Sequence, residues 1–279
     1  MAFEIGYSTY ALKTLDPFKA VKLIADCGYG AIEICLSDDW PTSPLFFSEE
    51  KQRKLGNLVR ELGLPSPVLF GNIDVCAPKE NVEKMVELTK RKFDMGHRMK
   101  TDSGPVVITT TPGHSAPSWE SGKEEIKEGF WNLAELASQN NVIIAVEAHA
   151  GTDFETPEKA VWLMEQTLHP NLTLDLDISH FVVEGSEMDH SVDITASYAS
   201  MVHIKDGSKK DDNVTFCLPG EGGIDVGKFF RALQRNDLSD LPVFAEVSVQ
   251  QSGDPAYDPE HVAKFCFDVL NQGRLSLEQ

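Results

Sequence analysis

Short apolar runs rich in β-branched residues recur along the chain, separated by longer stretches with helical periodicity. Runs at 3–10 (FEIGYSTY), 31–36 (AIEICL), 65–70 (PSPVLF), 106–111 (VVITTT), 142–149 (VIIAVEAH), 172–179 (LTLDLDIS), 201–206 (MVHIKD) and 243–249 (VFAEVSV) predict eight strands. Asp16 before Pro17 opens a helix that closes near CGYG, and Thr156 before Pro157 opens another that ends near His169 and Pro170. Further helices are expected at about 49–62, 79–99, 119–140, 188–199, 225–236 and 258–272. Strand followed by helix, eight times over, predicts an α/β protein: a closed (β/α)₈ barrel, one domain over residues 1–279. An open doubly wound sheet would normally place a Gly-rich phosphate loop after an early strand, and neither GxGxxG nor GxxxxGK[ST] stands there. GEGGID (220–225) is glycine-rich but carries acid in place of lysine, which makes it a poor phosphate cradle.

Several of these strands contain charge where a buried strand should not. In a barrel, alternate residues point inward and outward. In LTLDLDIS, Leu172, Leu174, Leu176 and Ile178 suit the helix layer, which turns Asp175 and Asp177 inward. A half-solvated antiparallel strand would show the same alternation. Three more strands repeat the oddity near their C-terminal ends, where barrel active sites lie: Glu147 with His149, His203 with Lys205, and Glu246. Charged residues are rarely buried unless paired or bound to metal. Glu147, Asp177, His203 and Glu246 would offer a divalent cation three carboxylates and one imidazole, a mixture suited to Mn²⁺, Mg²⁺ or Co²⁺ and less to Zn²⁺. Internal ion pairing with Lys205 is the competing explanation.

Composition narrows the partners. Lysine and arginine number 25 against 44 acidic residues, a formal charge of −19, and such a surface repels nucleic acid and anionic membranes. The five cysteines are scattered without a CxxC pair, so no disulfide framework or cysteine zinc site is expected, and a reducing cytoplasm fits. No export signal and no long apolar span is read from the sequence.

The motifs VEAH (146–149), LDISH (176–180), VHIKDG (202–207), LPGEGGID (218–225) and FAEVS (244–248), with GYGAIEI (28–34), together resemble the xylose isomerase-like barrel family. That family includes sugar-phosphate isomerases and epimerases, ketose 3-epimerases, inosose dehydratases and the endonuclease IV branch. The resemblance covers essentially the whole chain. It implies metal ligands at Glu147, Asp177, His203 and Glu246, Mn²⁺ foremost, with Glu147 and Glu246 also acting as acid and base on opposite faces of the substrate. His180 would contact a substrate oxygen. One departure is plain: where ketose 3-epimerases place an arginine after the histidine strand, HIKDGSKKDDN offers only Lys205, Lys209 and Lys210.

The expected substrate is a small sugar or polyol bearing a hydroxy-ketone, deprotonated to an enediolate stabilised by the cation. Isomerisation or epimerisation follows from where the proton returns; loss of a β-hydroxyl gives a dehydratase or lyase acting on a keto-inositol or 3-keto-glycoside. An endonuclease IV-like repair enzyme would need more histidine ligands and a basic face, and a metal-free sugar-binding barrel would need no cluster. Among the remaining candidates, His149 is a pocket wall or a partner of Glu147, and His114 is a mouth-loop group or solvated surface. Lys205 binds substrate oxygen or neutralises Asp175, and Glu33 lines the pocket or makes a structural hydrogen bond. A homodimer or homotetramer is compatible with the family, although no stretch marks its interface.

Overall fold

In the computed structural model, which describes residues 3–211 and 213–278, strands and helices alternate along the chain. The strands are β1 (Ile5–Ser8), β2 (Ala31–Cys35), β3 (Val68–Phe70), β4 (Val106–Thr110), β5 (Val142–Glu147), β6 (Leu172–Asp177), β7 (Ala199–Ile204), β8 (Asp206–Lys210), β9 (Asn213–Cys217) and β10 (Val243–Ala245). The helices are α1 (Pro17–Asp26), α2 (Glu49–Glu61), α3 (Val82–Met99), α4 (Trp119–Ser138), α5 (Pro157–Thr167), α6 (Ile178–Val183), α7 (Met188–Thr195), α8 (Val226–Arg235), α9 (Val249–Ser252) and α10 (Pro259–Leu275).

Eight of the strands pair in parallel and close in the order β1, β10, β7, β6, β5, β4, β3, β2. This is the predicted (β/α)₈ barrel. The helix starts follow from local chemistry: Asp16 Oδ1 accepts from the N–H groups of Phe18 and Lys19 ahead of α1, and the Thr156 side chain accepts from Lys159 N–H ahead of α5. In each case proline occupies the first helical position, where its missing N–H costs nothing.

The barrel interior is layered. Ala31, Ala145, Met201 and Phe244 pack together with Val68 and Val107 as an apolar plug. Gly6 faces the Phe244 ring so closely that a Cβ there would stand 2.4 Å from Cδ1, so the ring requires glycine on β1. Further along six of the strands, inward positions turn polar: Ser8, Glu33, Thr109, Glu147, Asp175 and His203, all buried. Charge is thus confined to the upper half of the barrel, nearer the C-terminal strand ends.

Three expectations need correction. The β6 strand ends at Asp177 rather than 179, because Asp177 caps a new helix: its Oδ1 accepts the Ser179 N–H at 2.9 Å, and Ile178–Val183 wind into α6. His180 therefore lies in a helix and is fully buried. The strand at 243–249 stops at Ala245, leaving Glu246 one residue beyond it, although its N–H still donates to Ile204 O at 3.0 Å. The polar stretch after β7, for which no strand was expected, forms the antiparallel hairpin β8–β9.

Candidate metal and substrate site

Glu147, Asp177, His203 and Glu246 come from four neighbouring staves of the barrel, β5, β6, β7 and the end of β10. Each offers a ligand atom, and these atoms all lie within 4.8 Å of one another. Glu147, Asp177 and His203 are buried, and the Glu246 side chain is 13% exposed. Both ring nitrogens of His203 are buried without a hydrogen bond of good geometry, although Nδ1 is 2.8 Å from Asp175 Oδ2 and 3.6 Å from Glu246 Oε2. An orphaned imidazole nitrogen among convergent carboxylates fits a divalent cation bound by oxygen and nitrogen ligands. The cluster can hold one.

Beneath the cluster, Asp175 and Glu33 brace the His203 ring. Thr109 Oγ1 donates to Asp175 Oδ2 at 2.6 Å, Ser8 Oγ donates to Glu33 Oε2, and Glu33 Oε1 is 3.4 Å from His203 Nε2. Glu33 is therefore part of a buried network spanning β1, β2, β4, β6 and β7. Burial alone would lower the His203 pKa, but Asp175 and Glu33 outweigh it and raise it well above the ordinary histidine range.

Lys205 enters the cluster from above. Its side chain is buried, and Nζ pairs with Asp177 Oδ2, stands 3.2 Å from Glu246 Oε1 and reaches Glu147 Oε1 at 4.0 Å. Its partner is Asp177, not the deeper Asp175. For Asp177, burial would raise the pKa, but the Lys205 charge and the two neighbouring histidines hold it below the usual carboxylate range. Glu147 and Glu246, by contrast, are both pushed up to about 7, chiefly by burial and only partly relieved by Lys205.

Two histidines complete the wall. His180 Nδ1 accepts the Ala150 N–H at 3.1 Å, and Nε2 lies 3.0 Å from Glu147 Oε1. The His149 ring lies 4.0 Å from that of His180, tilted by 38°, and its Nδ1 is 2.8 Å from Ala150 O. Burial lowers both, His180 to about 3 and His149 to about 4. His114 is not brought to this cluster: its side chain is 88% exposed, and Nδ1 is 3.1 Å from Asp74 on the loop after β3.

Phe216 was not singled out from the sequence. From β9 it places its ring 5.2 Å from the His180 ring and 5.3 Å from Lys205 Nζ, and packs with Ala150 and Val183 in a small apolar cluster. The hairpin is clasped by α9: Phe216 N–H donates to Gln250 Oε1 at 2.8 Å, and Gln251 Nε2 donates to Phe216 O at 2.9 Å. The GEGGID loop closes around Asp206, whose carboxylate accepts N–H groups from Gly207, Gly222, Gly223 and Ile224. A polar strand of the form SKK hides a hairpin; the alternation of Val214 and Phe216 was the available signal.

Fold and site together define a parallel barrel whose mouth can hold a divalent cation. Residues 21–268 match the xylose isomerase-like TIM barrel family, and the chain belongs to it. Among curated proteins it is similar to an inosose dehydratase of Clostridium botulinum, 27% identical over 55% of this chain and 61% of that protein. It is also similar to a ketose 3-epimerase of Arthrobacter globiformis, 23% identical over 82% and 77%. The chain thus spans less than two thirds of the length of that dehydratase. Among solved structures, a probable 3-DHS dehydratase of Bacillus anthracis superposes with a TM-score of 0.77 at 18% identity, covering 96% of this chain and 98% of that one. D-psicose 3-epimerase of Clostridium cellulolyticum gives 0.74 at 16%, covering 98% and 99%. At these identities the structural likeness is one of fold. Among the described residues, no helix is long and apolar enough to cross a membrane.

Proposed function

We propose that this protein is a divalent-metal-dependent isomerase or epimerase of a small hydroxy-ketone sugar or polyol, with Mn²⁺ the preferred ion. The observation that carries this reading is the four-residue cluster, Glu147, Asp177, His203 and Glu246, gathered within 4.8 Å at the barrel mouth. A bound cation would supply Lewis-acid polarisation of the substrate carbonyl.

The remaining work falls to side chains of the barrel. Glu147 and Glu246, with pKa values near 7, suit proton transfer at neutral pH, one carboxylate taking a proton from a C–H beside the carbonyl and the other acid returning it. Return to the opposite face inverts the centre; return to the adjacent carbon moves the carbonyl. His180, holding Glu147 through Nε2, orients that carboxylate and contacts substrate oxygen. His149 and Phe216 wall the pocket, and the hairpin keeps water from the deprotonated substrate.

A second reading is supported by the similarity to inosose dehydratases and by Lys205 in the cluster: the same proton abstraction, followed by departure of a β-hydroxyl as water once a carboxylic acid protonates it. Incubation of Mn²⁺-loaded protein with ketoses, keto-inositols and 3-keto-glycosides in D₂O decides between them by NMR. Deuterium entering a C–H position without loss of water supports the isomerase, and an unsaturated product supports the dehydratase. Failure of every substrate to exchange, or full activity in Glu147→Gln or Glu246→Gln, would overturn both.

A further inference from the structure

Resting on the reading of those four residues as ligands, we infer that Lys205 is a built-in counter-cation. It holds the ligand carboxylates together and competes with the divalent ion for them.

The contacts carry this. Nζ touches three of the four candidate ligands: Asp177 directly, Glu246 at 3.2 Å and Glu147 at 4.0 Å. Both oxygens of Asp177 already accept a hydrogen bond, Oδ1 from the Ser179 N–H and Oδ2 from Lys205. A cation reaching Asp177 therefore meets the ammonium already there. The lysine is not free to swing away. Its N–H donates to Ser179 Oγ at 2.7 Å, its carbonyl accepts from the same hydroxyl at 2.9 Å, and Phe216 lies 5.3 Å from Nζ.

Charge makes the competition direct. Glu147, Asp177 and Glu246 supply three negative charges when ionised, and Lys205 supplies one positive. A divalent ion and the Lys205 ammonium together match the charge of these three carboxylates, so the two cations share one set of oxygens. At separations of a few ångströms in a site of reduced dielectric, the lysine's repulsion of the ion is large enough to weaken binding by orders of magnitude.

The experiment uses the full chain, stripped with chelator, as wild type, Lys205→Met and Lys205→Arg, titrated with Mn²⁺ by calorimetry and followed by electron paramagnetic resonance. The Met variant should bind one Mn²⁺ about tenfold or more tightly than wild type. Its metal-free form should melt at lower temperature and gain more from saturating Mn²⁺ than wild type does. The Arg variant, which keeps the charge, should stay close to wild type. If the Met variant is unfolded without metal, refolding on Mn²⁺ addition supports the inference and absence of refolding overturns it. A folded Met variant with equal or weaker Mn²⁺ affinity overturns the role of Lys205 alone, as does an Arg variant that behaves like Met. No Mn²⁺ binding by any of the three proteins overturns the inference and the metal-dependent function with it.

Discussion

His180 lies between the Ala150 N–H and the Glu147 carboxylate, accepting from the first at 3.1 Å and meeting the second at 3.0 Å through its other nitrogen. A backbone amide can only donate, so Nδ1 carries no proton, and the neutral ring is fixed as the Nε2–H tautomer that donates to Glu147. With its pKa lowered to about 3, chiefly by burial, the ring stays neutral across the working pH range. Long-range ¹H–¹⁵N spectra should show a pyrrole-like Nε2 and a pyridine-like Nδ1, unchanged between about pH 5 and pH 8. Titration of this ring near its ordinary pKa would contradict the assignment.

Metal binding should strengthen with pH. Glu147 and Glu246 are raised to about 7, so at mildly acid pH the metal-free site retains protons that a cation must displace. The sign for the metal-free fold is the reverse: a carboxylate whose folded pKa is raised destabilises the fold as pH rises from the ordinary carboxylate range through about 7. The Mn²⁺-induced rise in Tm should accordingly be larger at about pH 8 than at about pH 6, and calorimetry in buffers of different ionisation heat should detect proton release.

On the proposed reading, Asp175 acts through His203 and not as a ligand. Asp175→Asn removes the charge 2.8 Å from His203 Nδ1 while keeping the Thr109 contact available. Mn²⁺ affinity should fall by about 10- to 100-fold, the usual range for a residue that orients a ligating histidine. A titration showing unchanged Kd would remove Asp175 from the metal site.

Gly222 is required by Asp206. A Cβ at residue 222 would stand 2.3 Å from Asp206 Oδ1 and 2.6 Å from its Cγ. Gly222→Ala should therefore cost about 1–3 kcal/mol in urea unfolding, because the buried carboxylate must give up N–H partners or the loop must shift. A loss within experimental error would show that the loop relaxes without disturbing Asp206.

Deletion of the Phe216 ring tests the hairpin as a cover. Phe216→Ala removes the contacts to His180 and Lys205 while leaving both glutamates in place. We expect kcat to fall by about tenfold or more, with faster amide exchange in β8 and β9. Unaltered exchange and turnover would mean that the hairpin contributes nothing to the site.

The barrel was legible because its strands are continuous apolar runs and its helices open on strong caps such as Asp16 and Thr156, both of which act locally. The convergence of Glu147, Asp177, His203 and Glu246 was legible for a related reason: charge on an inward position of a parallel strand has nowhere else to go. Helix α6 was not, since ISHFVV is short, apolar and β-branched and reads as strand; only the cap supplied by Asp177 turns it. The hairpin was hidden by its solvated outer face, Ser208 to Lys210, and by partners that arrive from far along the chain, Gln250 and Gln251. Lys205 could be placed near the cluster from the sequence, but its choice of Asp177 over Asp175 depends on strand stagger that no pattern of residues states.

The Asp206 clasp uses up a set of donors that could otherwise face an anion. Consecutive N–H groups from Gly222, Gly223 and Ile224 form the kind of concave donor set that grips phosphate in other folds, and here it grips the protein's own carboxylate. The anion is supplied in cis. A phosphate would have to evict a buried aspartate to use those donors, so the loop that most resembles a phosphate cradle is already filled by the chain itself.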